Sequence, residues 1–214
     1  MEISDVLGAV EHDVRGVAAT IGGMARMLAD GKLSHDDQRS AFERLQRASA
    51  RLDALASDAQ TLASWMVPGS ADQRAWRLAA LGPIVEGVIG DGEEITVSAD
   101  QLDRWRRGLV RISDDNAFED AVRSLYTLAC REQGAAVACR VRLVASSCDV
   151  FFDSDSAEGW DDPTARAPLD VHSGGLKPFV ALAVFAAHGV TTWRGPGSHG
   201  VGLTVPLTFR DGQT

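Results

Sequence analysis

Apolar residues in the first third of the chain recur at alternating spacings of three and four. Leu7, Val10, Val14, Val17, Ile21, Met24 and Leu28 form one such series, and Leu45, Ala48, Leu52, Leu55, Ala59, Leu62 and Met66 form another. This is the heptad spacing of helices that pack side by side. Gly31 supplies a stop after the first series. Ser34 supplies a cap for the second, with Asp36 and Asp37 in the first turn, where the helix dipole favours negative charge. The pattern therefore predicts two long helices joined by the tight connection GKLS, an antiparallel hairpin. One hairpin leaves part of its seams uncovered, so a four-helix bundle made by two chains is the expected completion.

The pattern changes near residue 67. VPGSADQRAW, residues 67–76, carries Pro68 and Gly69 and reads as a linker. Beyond it, EITVSA (94–99) and RGLVRIS (107–113) read as strands, and residues 115–132 as a helix with Phe118, Val122, Leu125 and Leu128 on one face. AVACRVRLVAS (136–146) alternates, with Val137, Cys139, Val141 and Leu143 opposite Arg140 and Arg142. DVFFDSD (149–155) is a further strand, and residues 174–189 are a helix with Pro178 near its start and Gly189 at its end. Residues 191–209 close the chain as a hairpin in which Val201, Leu203, Val205, Leu207 and Phe209 alternate. The expected fold is α+β: residues 1–67 form the dimerising helical hairpin, and residues 77–214 form a two-layer α/β sandwich on a mainly antiparallel sheet.

Composition adds limits. The 214 residues are 45% hydrophobic and 24% charged, as in ordinary globular proteins. The net charge of −9 argues against a nucleic-acid partner, which requires a basic face. No apolar run is long enough to span a bilayer and the N-terminus lacks the pattern of a signal peptide, so a cytoplasmic location with no membrane partner is expected. Cys130, Cys139 and Cys148 are too few and too widely spaced for a disulfide framework or a C-x-x-C metal site, and read as buried thiols. His172, His188 and His199 lack metal-ligand spacing, and the acidic run DSDSAEGWDD reads as a solvated loop. Ser173 lacks the strand–turn–helix elbow of a hydrolase nucleophile, and the five tryptophans read as core and interface anchors.

One stretch of the first helix breaks its own rules. GAVEHDVRGVAATIGG, residues 8–23, carries Gly8, Gly16, Gly22 and Gly23, and each interior glycine costs about 1 kcal/mol relative to alanine. With Leu7, Val14, Ile21 and Leu28 at heptad position a, His12 falls at f, opposite the seam, flanked by Glu11 and Asp13. Gly8 and Gly16 lie one turn away on its face, and Ala19 and Gly23 continue the stripe. An exposed imidazole in a smooth strip is open to an approaching protein surface. The plain alternative is a surface histidine with glycines that permit close helix packing.

The larger arrangement favours the first reading. His12, Asp13 and Arg15 match the H-[ED]-x-[RK] motif on the first hairpin helix of bacterial histidine kinases, while Gly16 and Val17 depart from the small polar residue and proline that follow it. DNAFEDAVRSLYTLACRE stands where that family has N-L-L-x-N-A, FFDSDSAEGW where it has D-x-G-x-G, and GVGLTVPLTF at its closing hairpin. The chain thus resembles a histidine kinase over nearly its whole length, with a second domain similar to the ATP-binding domain of that family. The resemblance implies that His12 accepts a phosphoryl group, that Asp13 orients the imidazole or takes its proton, and that Arg15 pairs with phosphate oxygens or with the partner. Glu11, Gly8, Gly16, Ala19 and Gly23 would border the approaching partner. A neutral imidazole nitrogen is a competent nucleophile for this chemistry.

The nucleotide-binding motifs depart from the family. Leu128 occupies the place of the asparagine that holds Mg²⁺, and a leucine offers no oxygen ligand. Asp153 or Asp155 could stand for the adenine-binding aspartate, but the following Gly-x-Gly is missing and Gly159 comes late. HSGGLK, with Lys177 and Pro178, replaces the glycine-rich lid. A kinase shape without its ATP site resembles the ChpT type of dimeric histidine phosphotransferase. This implies a phosphorelay protein acting through a phosphohistidine, with no stably bound cofactor, no use of ATP and Mg²⁺ supplied by the partner. The implied partners are response-regulator receiver domains, a hybrid histidine kinase and a second copy of the chain. Two alternatives stand: a divergent or split kinase that uses ATP, and a non-enzymatic pseudokinase that regulates a kinase or receiver.

Overall fold

The computed structural model of the chain describes residues 3–31, 33–67, 74–90, 95–153, 159–171, 175–196 and 200–209. They fall into two compact units: Met1–Ser64 with His172–Val180, and Trp65–Val171 with Ala181–Thr214.

The first unit is built on helices α1 (Ile3–Ala29) and α2 (His35–Met66), the last two residues of which belong to the second unit. The turn between them includes Gly31 with φ +62°, a left-handed conformation suited to glycine. The hydroxyl of Ser34 accepts the Asp37 backbone N–H at 3.2 Å and donates to the Asp37 carboxylate at 2.6 Å, capping α2. The heptad seam of α1 divides. Val17 is buried and Val10, Ile21, Met24 and Leu28 are half-buried, whereas Leu7 and Val14 are exposed. Asp13 is buried among the inward positions, so the inner face is turned from a toward g. In α2 the buried line runs through Ala41, Ala48, Leu62 and Trp65. It replaces the expected Met66 with Trp65, and Ala59 is exposed.

The second unit contains β1 (Arg77–Ala80), α3 (Leu81–Ile89), β2 (Ile95–Val97), α4 (Leu102–Arg107), β3 (Leu109–Ile112), α5 (Asp115–Gln133), β4 (Ala138–Val144), β5 (Ser147–Asp153) and β6 (Ala167–Pro168). It closes with β7 (Thr191–Arg194) and β8 (Val201–Pro206). Helix α6 (Lys177–Ala187) begins in the first unit and continues into the second at Ala181. Six strands form a sheet in the order β2-β4-β5-β8-β7-β6, parallel only between β2 and β4, and β1 pairs with β3 in a separate antiparallel ribbon.

Register decides which residues form the core. Cys139, Val141 and Leu143 pair with Phe152, Val150 and Cys148, which in turn pair with Val201, Leu203 and Val205. These nine buried side chains share one face. Helix α5 turns Phe118, Val122, Leu125 and Leu128 inward, and Tyr126 meets Phe152 edge-on. The Asp114 side chain caps α5 by accepting the Ala117 N–H, and Gly134 ends it at φ +70°.

The opposite face of the sheet is covered as well. Arg142, Asp149 and Thr204 lie side by side on β4, β5 and β8. Arg166 donates to both Asp149 oxygens at 3.2 and 2.5 Å, Arg142 adds 3.0 Å and Thr204 Oγ1 adds 2.7 Å. Burial opposes ionisation of Asp149, but these donors outweigh it and hold its carboxyl below the usual range. Phe151 stacks between Trp160 and Trp193, and Arg166 lies 4.0 Å over the Trp193 ring.

Candidate functional site

His12 lies more than two turns into α1, one turn after Gly8 and one before Gly16. Its side chain is 84% exposed, and that of its neighbour Asp13 is 8% exposed. A helix turns by about 100° per residue, so adjacent residues can lie on opposite sides of the boundary between solvent and packed interior. Here the imidazole is outside and the carboxylate behind it is inside.

Asp13 draws three groups together within the first unit. The Nδ1 atom of His12 lies 3.4 Å from its Oδ1, and Arg51 of α2 donates to the same oxygen, also at 3.4 Å. The other oxygen, Oδ2, accepts the backbone N–H of Leu176 at 3.3 Å. An anion facing the Nδ1 edge favours the tautomer with its proton on Nδ1. That leaves the lone pair of the exposed ring on Nε2, the atom an approaching electrophile would meet.

Arg15 is not directed at His12. It forms an exposed ion pair with Glu11 at 2.5 Å, four residues back. Such a pair contributes little in solvent and can open for a stronger anion. Gly8, Gly16 and Ala19 are exposed and Gly23 is half-buried. A Cβ placed at Gly8, Gly16, Gly22 or Gly23 would meet nothing within 4 Å in this chain. The glycines of α1 are therefore not required by packing inside the hairpin, and the stripe beside His12 is open.

Arg51 was not singled out by the sequence pattern, and Gly175 and Leu176 entered it only as part of HSGGLK in the place of the lid. Arg51 precedes Leu52 in the seam of α2, so pairing the two helices antiparallel around the GKLS turn could have brought it to Asp13. Nothing in the local sequence placed residues 175–176 there, because that contact joins positions 163 residues apart.

Of the nucleotide positions of the resemblance, Leu128, Asp153 and Gly159 lie in the second unit, and Lys177 and Pro178 lie in the first. Leu128 is buried on the inner face of α5. Asp153 is buried at the end of β5, and the Gln133 side-chain amide donates to its Oδ1 at 3.2 Å. Asp155, His172, Ser173 and His199 lie outside the described residues, as does half of the acidic run, residues 154–158. Gly159 has φ +79°, and Lys177 and Pro178 form the first turn of α6. Among the described residues no group of three His, Cys, Asp or Glu side chains could hold a metal ion.

His188 belongs to the core of the second unit. Its ring is surrounded by Trp65, Trp76 and Phe118 at centroid distances of 5.2 to 5.3 Å. Nδ1–H donates to the Val184 carbonyl at 2.6 Å, and Nε2 accepts the Ser113 N–H at 3.3 Å. Arg74 lies 3.3 Å over the Trp65 ring, so the last residues of the expected linker are packed. Burial lowers the pKa of His188, aided by Arg74 and opposed by the bond to Val184 and the charge of Asp114.

No family model matches the sequence, and no curated protein does. Solved structures do match. The histidine kinase AdeS of Acinetobacter baumannii is 16% identical, with 94% of this chain and 98% of that chain covered at a TM-score of 0.60. The histidine kinase ThkA, in a crystal structure with the response regulator TrrA, is 13% identical, with 94% of this chain and 61% of that chain covered at a TM-score of 0.59. The fold of this chain is therefore like that of a histidine kinase: a helical hairpin followed by an ATPase-like α/β domain.

Proposed function

We propose that the chain is a histidine phosphotransferase of a two-component phosphorelay and that His12 is its phosphoacceptor. The observation that carries this reading is the arrangement at residues 12 and 13: an imidazole 84% exposed, backed by a carboxylate 8% exposed, on a smooth open helix face. In the proposed step the Nε2 lone pair attacks the phosphorus of a receiver's aspartyl phosphate. A P–N bond forms, the P–O bond to the aspartate breaks, and the aspartate leaves as a carboxylate. The ring gains positive charge, and Asp13 beside Nδ1 stabilises it while the proton stays on Nδ1. Arg15, released from Glu11, can meet the phosphoryl oxygens. The reverse step returns the group to a second receiver. Mg²⁺ belongs to the receiver in this scheme.

Two features support a reaction without ATP. Leu128 is buried and apolar where the resemblance places a metal-binding side chain, and Asp153 is engaged by Gln133. A homodimer is part of the proposal, supported by Leu7 and Val14, which stand 62% and 44% exposed on the seam of α1. The competing reading, a kinase that uses ATP, is favoured by the name of both neighbours described above. Titration calorimetry with Mg²⁺ and a non-hydrolysable ATP analogue separates the two. The phosphotransferase gives no binding heat up to about millimolar nucleotide, the weak end of ordinary substrate affinities, and a kinase saturates below it. Loss of phosphate from a phosphorylated receiver should be accelerated by the wild-type chain and not by His12→Ala.

A further inference from the structure

We infer that Gly175 and Leu176, which lead into α6, are positioning residues that act on His12 through Asp13. The inference rests on the reading of His12 as the phosphoacceptor. A carboxylate next to an exposed histidine on a helix would ordinarily turn toward solvent, where water solvates it best. Asp13 does not, because its two oxygens are held by different partners. Leu176 N–H takes Oδ2 at 3.3 Å, which leaves Oδ1 for Arg51 and for Nδ1 of His12. The N–H leads into the first turn of α6, where the helix dipole favours an anion.

Gly175 makes this approach possible. Its φ is +77°, a conformation that side chains resist. A Cβ there would stand 2.3 Å from Asp13 Oδ2 and 3.1 Å from Asp13 Cγ. Any other residue at 175 would be strained and would also displace the carboxylate. The glycine is needed for the close approach of backbone to Asp13 and not only for the turn. Leu176 is itself 2% exposed, so the donor is anchored. Through these contacts the segment fixes the rotation of the Asp13 carboxylate and, with it, the Nδ1–H tautomer that leaves Nε2 free to react.

The experiment is ¹⁵N–¹H correlation of the imidazole signals in the full chain with the ring neutral and no receiver present, followed by transfer kinetics. Wild type should show His12 mainly as the Nδ1–H tautomer. Gly175→Ala should shift the ratio toward Nε2–H, as Asp13→Ala does, with unchanged helical circular dichroism. It should also slow phosphoryl transfer by up to about a hundredfold, the scale for a misplaced reacting group, without weakening receiver binding. Replacing the amide N–H of residue 176 by an ester oxygen keeps the leucine side chain and adds no bulk. It should give the same tautomer shift even where Gly175→Ala folds poorly. An unchanged tautomer ratio in the ester variant overturns the inference. So does faster transfer in Gly175→Ala, which would mark the segment as an inhibitory contact. A ratio that responds in a protein never labelled on His12 sinks the proposed function and leaves the clamp standing. An unresponsive ratio in a labelled protein does the reverse.

Discussion

At the scale of single residues, solvent access separates two histidines. His12 is exposed, whereas His188 is sealed among aromatic rings with both nitrogens bonded. A proton on Nε2 of His188 would point at the Ser113 N–H, which already donates there. With its pKa lowered in the folded state, the unfolded chain binds the proton more readily. The contribution of neutral His188 is therefore complete above the ordinary histidine value of about 6.5 and declines as pH falls below it. Urea midpoints measured from about pH 7.5 to about pH 5.5 should drop more steeply for wild type than for His188→Gln. Equal slopes would exclude this role. The thiols divide in the same way. Burial pushes Cys139 and Cys148 far up, the latter aided by the Asp149 charge, while Cys130 is only half-buried. A thiol reagent should modify Cys130 rapidly in the native protein and all three cysteines only after denaturation. Of the candidate site, the exposure of His12 was legible from heptad position. The burial of Asp13 was not, because it depends on which flank of the seam meets α2.

At the scale of elements, glycines in different settings should respond in opposite directions. Gly16 lies in a helix with open space around it, so Gly16→Ala should stabilise the fold by about 1 kcal/mol in chemical denaturation. Gly16→Leu should keep that fold and slow transfer to His12, because the bulk stands where the proposed transfer needs a receiver to approach. Gly202 on β8 faces the Trp193 ring, and a Cβ there would stand within 2.4 Å of three ring atoms. Trp193 is held by Phe151, Arg166 and Thr204, so Gly202→Ala should cost about 1–3 kcal/mol. The long helices, β4 and β8 were readable because their apolar residues recur at the helix or strand period, and β5, buried on both faces, was readable as a short apolar run. Helix α3 was missed because Leu81, Val85, Val88 and Ile89 crowd a nine-residue segment with little polar contrast. Helix α4 was missed because LDRWRR offers one buried anchor, Trp105, among charges. The parallel pairing of β2 with β4 is a long-range choice that neither strand encodes alone.

At the scale of the molecule, the hairpin and the α/β domain together give the histidine-kinase-like fold, and the proposed dimer follows from apolar positions that the single chain leaves uncovered. Leu7→Glu combined with Val14→Glu should reduce the mass in solution from two chains to one, as read by light scattering. A wild-type chain that is monomeric at high concentration would remove the dimer from the account. No helix among the described residues is long and apolar enough to cross a membrane. The central claim, phosphoryl transfer to His12, is tested most directly by mixing the chain with a receiver domain carrying labelled aspartyl phosphate. The expected result is label on wild type that is lost in acid and survives base, with none on His12→Ala. No label on wild type, or equal label on His12→Ala, would contradict the assignment.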